Sequence, residues 1–258
     1  MNQDIFLSLA LFVWFVSLAI VEHATARDSR PIATPDADAR FVTNYGFTAI
    51  LLIAGAALPL ANAGAAVSGE GLHIGLANHV QVPWPALIAL TLIVQTFAGY
   101  WTHRLLHQYP LLWRIHRVHH ADTAVDVSTS LRNHPFELLV TLPVSVVVTL
   151  AIGAPISIVT AGQTIIVAAT IWEHADISLP PRIDRALSAV ILTPRLHRLH
   201  HSPERAIHDS NFGTVFSFWD RLFGTLRDLE VRQKVGLGDQ VTGPDHFLAQ
   251  IWAPLQPI

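Results

Sequence analysis

The chain has no cysteine among its 258 residues, which excludes disulfides, thiolate zinc sites and iron–sulfur clusters. Charge is scarce: only 14% of residues are Asp, Glu, Lys or Arg, and the formal net charge is −3. That balance argues against a basic nucleic-acid binder, and no DNA or RNA recognition module is present. Neither a Gly-x-Gly-x-x-Gly dinucleotide fingerprint nor a His-Glu-x-x-His zinc-peptidase motif occurs. Internal repeats, low-complexity tracts and linkers are also missing, so residues 1–258 read as a single membrane domain. The leading Met1-Asn2-Gln3-Asp4 lacks the Lys or Arg of a signal peptide, although Ala24-Thr25-Ala26 resembles a cleavage site. The first apolar stretch is therefore expected to stay as a helix.

What fills the chain instead is apolar. Hydrophobic residues make up 51%, more than an ordinary soluble domain carries. A bilayer core needs about 20 apolar residues per helix, and candidate spans fall at 5–22, 46–66, 83–101, 136–154 and 156–174. The last two, separated by Gly153-Ala154-Pro155, form a helical hairpin. Placing loop 23–45, segment 102–135 and everything after 174 on one side gathers all 16 basic residues there. The positive-inside rule makes that side cytoplasmic. The expected fold is all-α: an integral membrane bundle of about five spans with a cytoplasmic helical cap over 175–258. A soluble bundle with buried hairpins is the alternative, and such long uncharged runs disfavour it.

Against this background the 15 histidines stand out, because most lie in three clusters. His103 and His107 are one helical turn apart on one face. After Pro110, His116, His119 and His120 follow at i, i+3 and i+4, and His197, His200 and His201 repeat that spacing. Thr193 and Pro194 suit the start of this last helix. His134 begins the fourth span and His174 ends the fifth, at the same membrane surface, so both join the candidate ligands. His23, His73, His79, His208 and His246 match no spacing and are left out, His208 as a surface residue. Ten imidazoles are too many for one ion. Two ions with about five each leave an open position on both, and imidazole suits Fe, Zn, Cu and Ni alike. Asp122, Glu173, Asp176, Asp209 and Asp220 lie near the clusters and are candidates for orienting ligand N–H groups.

At these residues the sequence resembles the fatty acid hydroxylase/sterol desaturase superfamily of membrane di-iron oxygenases. The likeness rests on the three histidine clusters in order, on Arg132-Asn133-His134-Pro135, and on two tail segments. These are Asp209-Ser210-Asn211-Phe212-Gly213 and Trp219-Asp220-Arg221-Leu222-Phe223-Gly224-Thr225. It covers residues 83–258 and implies a catalytic region there, with a histidine cage in the cytoplasmic cap. It implies two Fe ions held by the eight motif histidines and His174, with His134 either a ligand or a border of the substrate channel. It also implies a lipid substrate, O₂, two electrons from a separate donor protein, and either hydroxylation or desaturation. Zinc is expected to compete for the site in isolated protein, and a bacterial inner membrane is the expected location. A haem-binding electron carrier or a metal transporter are rival readings, but haem needs only one or two axial histidines.

Overall fold

Proline and glycine punctuate the apolar runs and set the helix ends. In the computed structural model, which describes residues 3–25, 36–55, 57–229 and 234–256, twelve α-helices follow one another. They are α1 (Gln3–Thr25), α2 (Ala37–Gly55), α3 (Ala57–Gly71), α4 (Trp84–Gln108), α5 (Pro110–His120) and α6 (Leu138–Ile152). Then come α7 (Ile156–His174), α8 (Pro181–Ser188), α9 (Pro194–His200), α10 (Arg205–His208), α11 (Phe218–Leu222) and α12 (Phe247–Trp252). No strand occurs among the described residues, only an isolated antiparallel bridge between Ile191 and Phe216.

Among the described residues, four helices are long and apolar enough to cross a membrane: Ile5–Thr25, Trp84–Gln108, Pro135–Ile152 and Ile156–His174. This is the framework of a multi-pass membrane protein. The expected second span, 46–66, is not among them. The chain there makes α2 and α3, on either side of residue 56, which lies outside the described residues. α2 also starts in polar sequence. Arg40 donates from Nε to Asp122 Oδ1 at 2.5 Å and from Nη1 to Asp126 Oδ2 at 2.8 Å, tying α2 to the segment after α5.

Helix ends sort cleanly to two levels. Leu87, Ile152, Ala154, Ile158 and Val159 form a core cluster at the end away from the histidines. The α6–α7 hairpin turns there at Gly153, whose φ of 67° lies in the left-handed region. At the opposite end α1 closes on the cap through Glu22, whose Oε1 accepts from the Val127 amide at 3.0 Å. Every described Arg and Lys belongs to this second end; Arg27, Arg30 and Arg232 lie outside the described residues. Arg132 is fully buried and pins three segments. Its Nε donates to Val118 O at 2.8 Å, Nη1 to Asn44 Oδ1 at 3.3 Å, and Nη2 to Pro244 O.

Candidate metal centre

The i, i+3, i+4 spacing has a consequence that emerges only in three dimensions. On α5, His116 and His120 point to one group while His119 points to another. On α9 the assignment is reversed: His197 and His201 join the group of His119, and His200 joins the group of His116. α4 adds His103 and His107 to the first group, and the end of α7 adds His174 to the second. The result is a five-histidine set, His103, His107, His116, His120 and His200, beside a four-histidine set, His119, His174, His197 and His201. They abut, with the rings of His120 and His201 stacked at 4.6 Å.

The Nε2 atoms face inward. His103 and His116 bring theirs to 3.1 Å, His119 and His174 to 3.0 Å, and His174 and His197 to 3.0 Å. Six of the nine Nδ1 atoms face outward to fixed acceptors, while those of His120, His197 and His201 are buried with no protein partner. His103 donates to Phe212 O at 3.0 Å, His119 to Arg132 O at 3.2 Å, His174 to Thr170 O at 2.7 Å and His200 to Ser210 O at 2.7 Å. His107 and His116 donate to carboxylates, Asp209 at 3.2 Å and Glu137 at 3.4 Å. With the proton committed to Nδ1, each of these rings presents an Nε2 lone pair to the interior, the tautomer and support that metal-bound histidines require. Nε2 of His107 and of His200 are buried with no protein partner. Burial, reinforced by neighbouring histidines, holds His119, His120, His197, His200 and His201 well below the ordinary imidazole value. Converging neutral lone pairs repel one another unless a cation sits between them, so the donor set fits two imidazole-binding metal ions.

The tail segments hold the outer shell. Asp220 accepts from the Phe212 and Gly213 amides at 2.8 and 2.9 Å and from Thr225 Oγ1 at 2.7 Å. Asn211, at φ 54°, donates to Leu196 O and Arg227 O, both at 2.8 Å. The loop so fixed presents the Ser210 and Phe212 carbonyls that orient His200 and His103.

A fatty acid hydroxylase family model matches residues 88–225. The chain belongs to the fatty acid hydroxylase family. The matched region of this family member begins in α4, ends at Thr225 and contains both histidine sets. Ornithine lipid hydroxylase OlsE of Rhizobium tropici is 28% identical over 174 residues, which are 67% of this chain and 52% of the relative. Alkylglycerol monooxygenase of Homo sapiens is 27% identical over 164 residues, 60% of this chain and 35% of the relative. Methylsterol monooxygenase 1 of Danio rerio is 28% identical over 150 residues, 55% of this chain and 48% of the relative. The chain thus spans about half the length, or less, of these curated relatives. No solved structure matches it.

Nine of the ten expected histidines come together in this fatty acid hydroxylase fold. The tenth, His134, does not. It caps the short 3-10 helix Pro135–Glu137 by accepting from Phe136 N at Nδ1, and its Nε2 donates to Ile251 O at 3.2 Å. Both ring nitrogens are thereby engaged. His208, expected at the surface, is buried, with its ring stacked on Trp113 at 5.1 Å and Nδ1 donating to Ser202 O at 3.0 Å. It lies beside His107 and Asp209, whose ligand atoms form a third, smaller cluster with its own. Of the five expected orienting carboxylates, Asp209 contacts His107 directly. Glu173 comes within 4.0 Å of His197, while Asp122 and Asp176 pair with Arg40 and Arg198 instead. Thr193 stands at the α9 N-cap position, but its hydroxyl makes no capping bond.

Proposed function

We propose that this chain is a membrane di-iron monooxygenase that hydroxylates a lipid C–H bond with O₂ and two electrons from a separate donor protein. The observation that carries the proposal is the pair of buried histidine sets opening into a cavity of about 310 Å³ between α4, α6 and α7. His103, His116, His119, His174 and His197 form one wall of that cavity. In this reading one domain spans 1–258, with residues 83–258 as the catalytic region. The histidine end faces the cytoplasm of a bacterial inner membrane, where the positive-inside rule puts it.

Bound as a pair, the iron ions supply the O₂-derived oxidant that an unactivated C–H bond demands. The rest falls to the chain. Nine histidines would hold the ions, five from one set and four from the other. Backbone carbonyls and the carboxylates of Asp209 and Glu137 keep the rings aimed. Val144, Val148 and Ile166 give the cavity apolar walls within the bilayer that orient a hydrocarbon and exclude water. One oxygen atom of O₂ enters the substrate as a hydroxyl, and the other leaves as water with two protons. Hydroxylation is preferred over desaturation because the relatives named above are hydroxylases and monooxygenases.

The test pairs elemental analysis with turnover. Protein stripped of metal and reloaded anaerobically with ferrous iron should oxidise a membrane lipid extract once O₂ and a reductant are added. Mass spectrometry should show products 16 Da heavier, one oxygen atom, that form only with iron. Equal turnover by a zinc-loaded sample overturns the oxygenase reading.

A further inference from the structure

A hydrocarbon passage within a bilayer needs no polar wall, yet this cavity has polar residues at two depths. Beside the metal centre stand Asn133, Glu137 and Glu173. Deeper in the membrane stand Gln95 of α4, Ser145 of α6 and Gln163 of α7; between the two levels lie Ala98, Val144 and Ile166, and Thr102, Thr141 and Thr170, whose hydroxyls are each spent on a carbonyl one turn back. Gln95 precedes His103, and Ser145 follows Glu137, by eight residues of helical or near-helical chain. At about 1.5 Å rise per residue the two levels are about 12 Å apart.

The deep level is not self-satisfied. Ser145 is used: Asn62 donates to it at 2.9 Å and Gln163 at 3.4 Å. Gln95 is not. It is 7% exposed, and both its amide oxygen and its amide nitrogen are buried without a partner. The space it occupies is built for it, since a Cβ on Gly162 would stand 2.7 Å from Gln95 Oε1. An unpaired primary amide at membrane depth is expensive, because lipid offers it nothing to bond. Gln95 lines the cavity, and turned toward it from its seat against Gly162 the amide would offer one acceptor and two donors to whatever fills the space.

We propose that Gln95 recognises a second oxygen function, a hydroxyl or carbonyl, on the substrate, about 12 Å from the carbon brought to the metal centre. The substrate is then an oxygenated lipid with polar groups at two points along its length, not one with a plain alkyl chain. The inference rests on the monooxygenase reading for the identity of the reacting end. Its test measures binding alone.

Purified protein in nanodiscs is titrated with straight-chain α,ω-diols whose oxygen-to-oxygen spans bracket that about 12 Å separation, and with primary alcohols of matched length. Ligand-induced thermal stabilisation reports affinity. A diol of matching span should bind about tenfold tighter than the alcohol of equal length, the worth of one well-placed hydrogen bond. Shorter and longer diols should lose that advantage. Gln95→Leu should bring diol and alcohol to equal affinity, and Gln95→Asn, which keeps the amide but shortens its reach, should weaken the preference. Equal affinities at every length, or a diol preference that survives both substitutions, overturns the proposal. No turnover is read, so this outcome is independent of the iron-dependent oxidation test.

Discussion

His119 and His200 hold the same position in their respective motifs, and each gives its ring to the set dominated by the other helix. Removing either therefore strips a different set. His119→Ala leaves three histidines in the smaller set, whereas His200→Ala leaves four in the larger. Both variants are expected to lose turnover with the membrane fold intact. Metal content by elemental analysis should fall further for His119→Ala, and equal retention would contradict the partition. Acid sensitivity follows from the same residues. Burial holds His119, His120, His197, His200 and His201 below the ordinary value, so as pH falls the unfolded chain takes up protons before the folded one. Above about pH 6.5 both states are neutral and nothing is gained or lost; below it the folded state is progressively disfavoured. Metal-stripped protein should show a falling Tm as pH drops from about 6.5 to about 5, and a flat profile would refute the argument. Eight of the nine clustered histidines were legible as candidates because helical spacing writes them into the sequence, and His174 because it ends a span at the same membrane surface. His134 misled because a histidine before proline at a helix start serves equally well as a cap. His208 escaped because the chain between His201 and His208 turns irregularly, and no period connects them.

Among the elements, the loop from Asp209 to Thr225 illustrates what a motif conceals. Its residues were recognisable, but their job was not, since they act through backbone carbonyls that carry no sequence identity. Asp220→Ala would leave the buried Phe212 and Gly213 amides unpaired, at a cost of about 2–4 kcal/mol. Gly213→Ala would force a Cβ to 2.4 Å from Phe216 O. Both variants should lower Tm and weaken metal retention although neither touches a ligand. A variant that unfolds earlier yet keeps its full metal complement would separate the loop from the centre. Hydropathy marked one span over 46–66, and the described residues on either side of residue 56 are helical there, as α2 and α3.

For the molecule as a whole, the two-ended arrangement is the most exposed expectation. Residues 67–82 and the α6–α7 turn share one end, and the nine clustered histidines with every described Arg and Lys share the other. The absence of cysteine makes this simple to examine, because a single introduced thiol is the only one present. Ser68→Cys, at an exposed position, should react with an impermeant maleimide added outside intact spheroplasts, and a thiol at exposed Arg205 should not. Reversed labelling would invert the molecule. Charge asymmetry carried this much of the architecture in the sequence; the packing of the cap over the helices did not appear there, because it depends on buried polar bonds such as those of Arg132.

The crossing of the two three-histidine motifs also bears on assembly. Each helix contributes to both histidine sets at once, so neither set can be completed while α5 and α9 are apart. If the two sets each take an ion, as proposed, capture of the first would bring both helices together, and that ordering would already be done when the second arrives. Loading should accordingly be sigmoidal: a ferrous titration followed by native mass spectrometry would find empty and doubly loaded protein, with the singly loaded species scarce at every ratio.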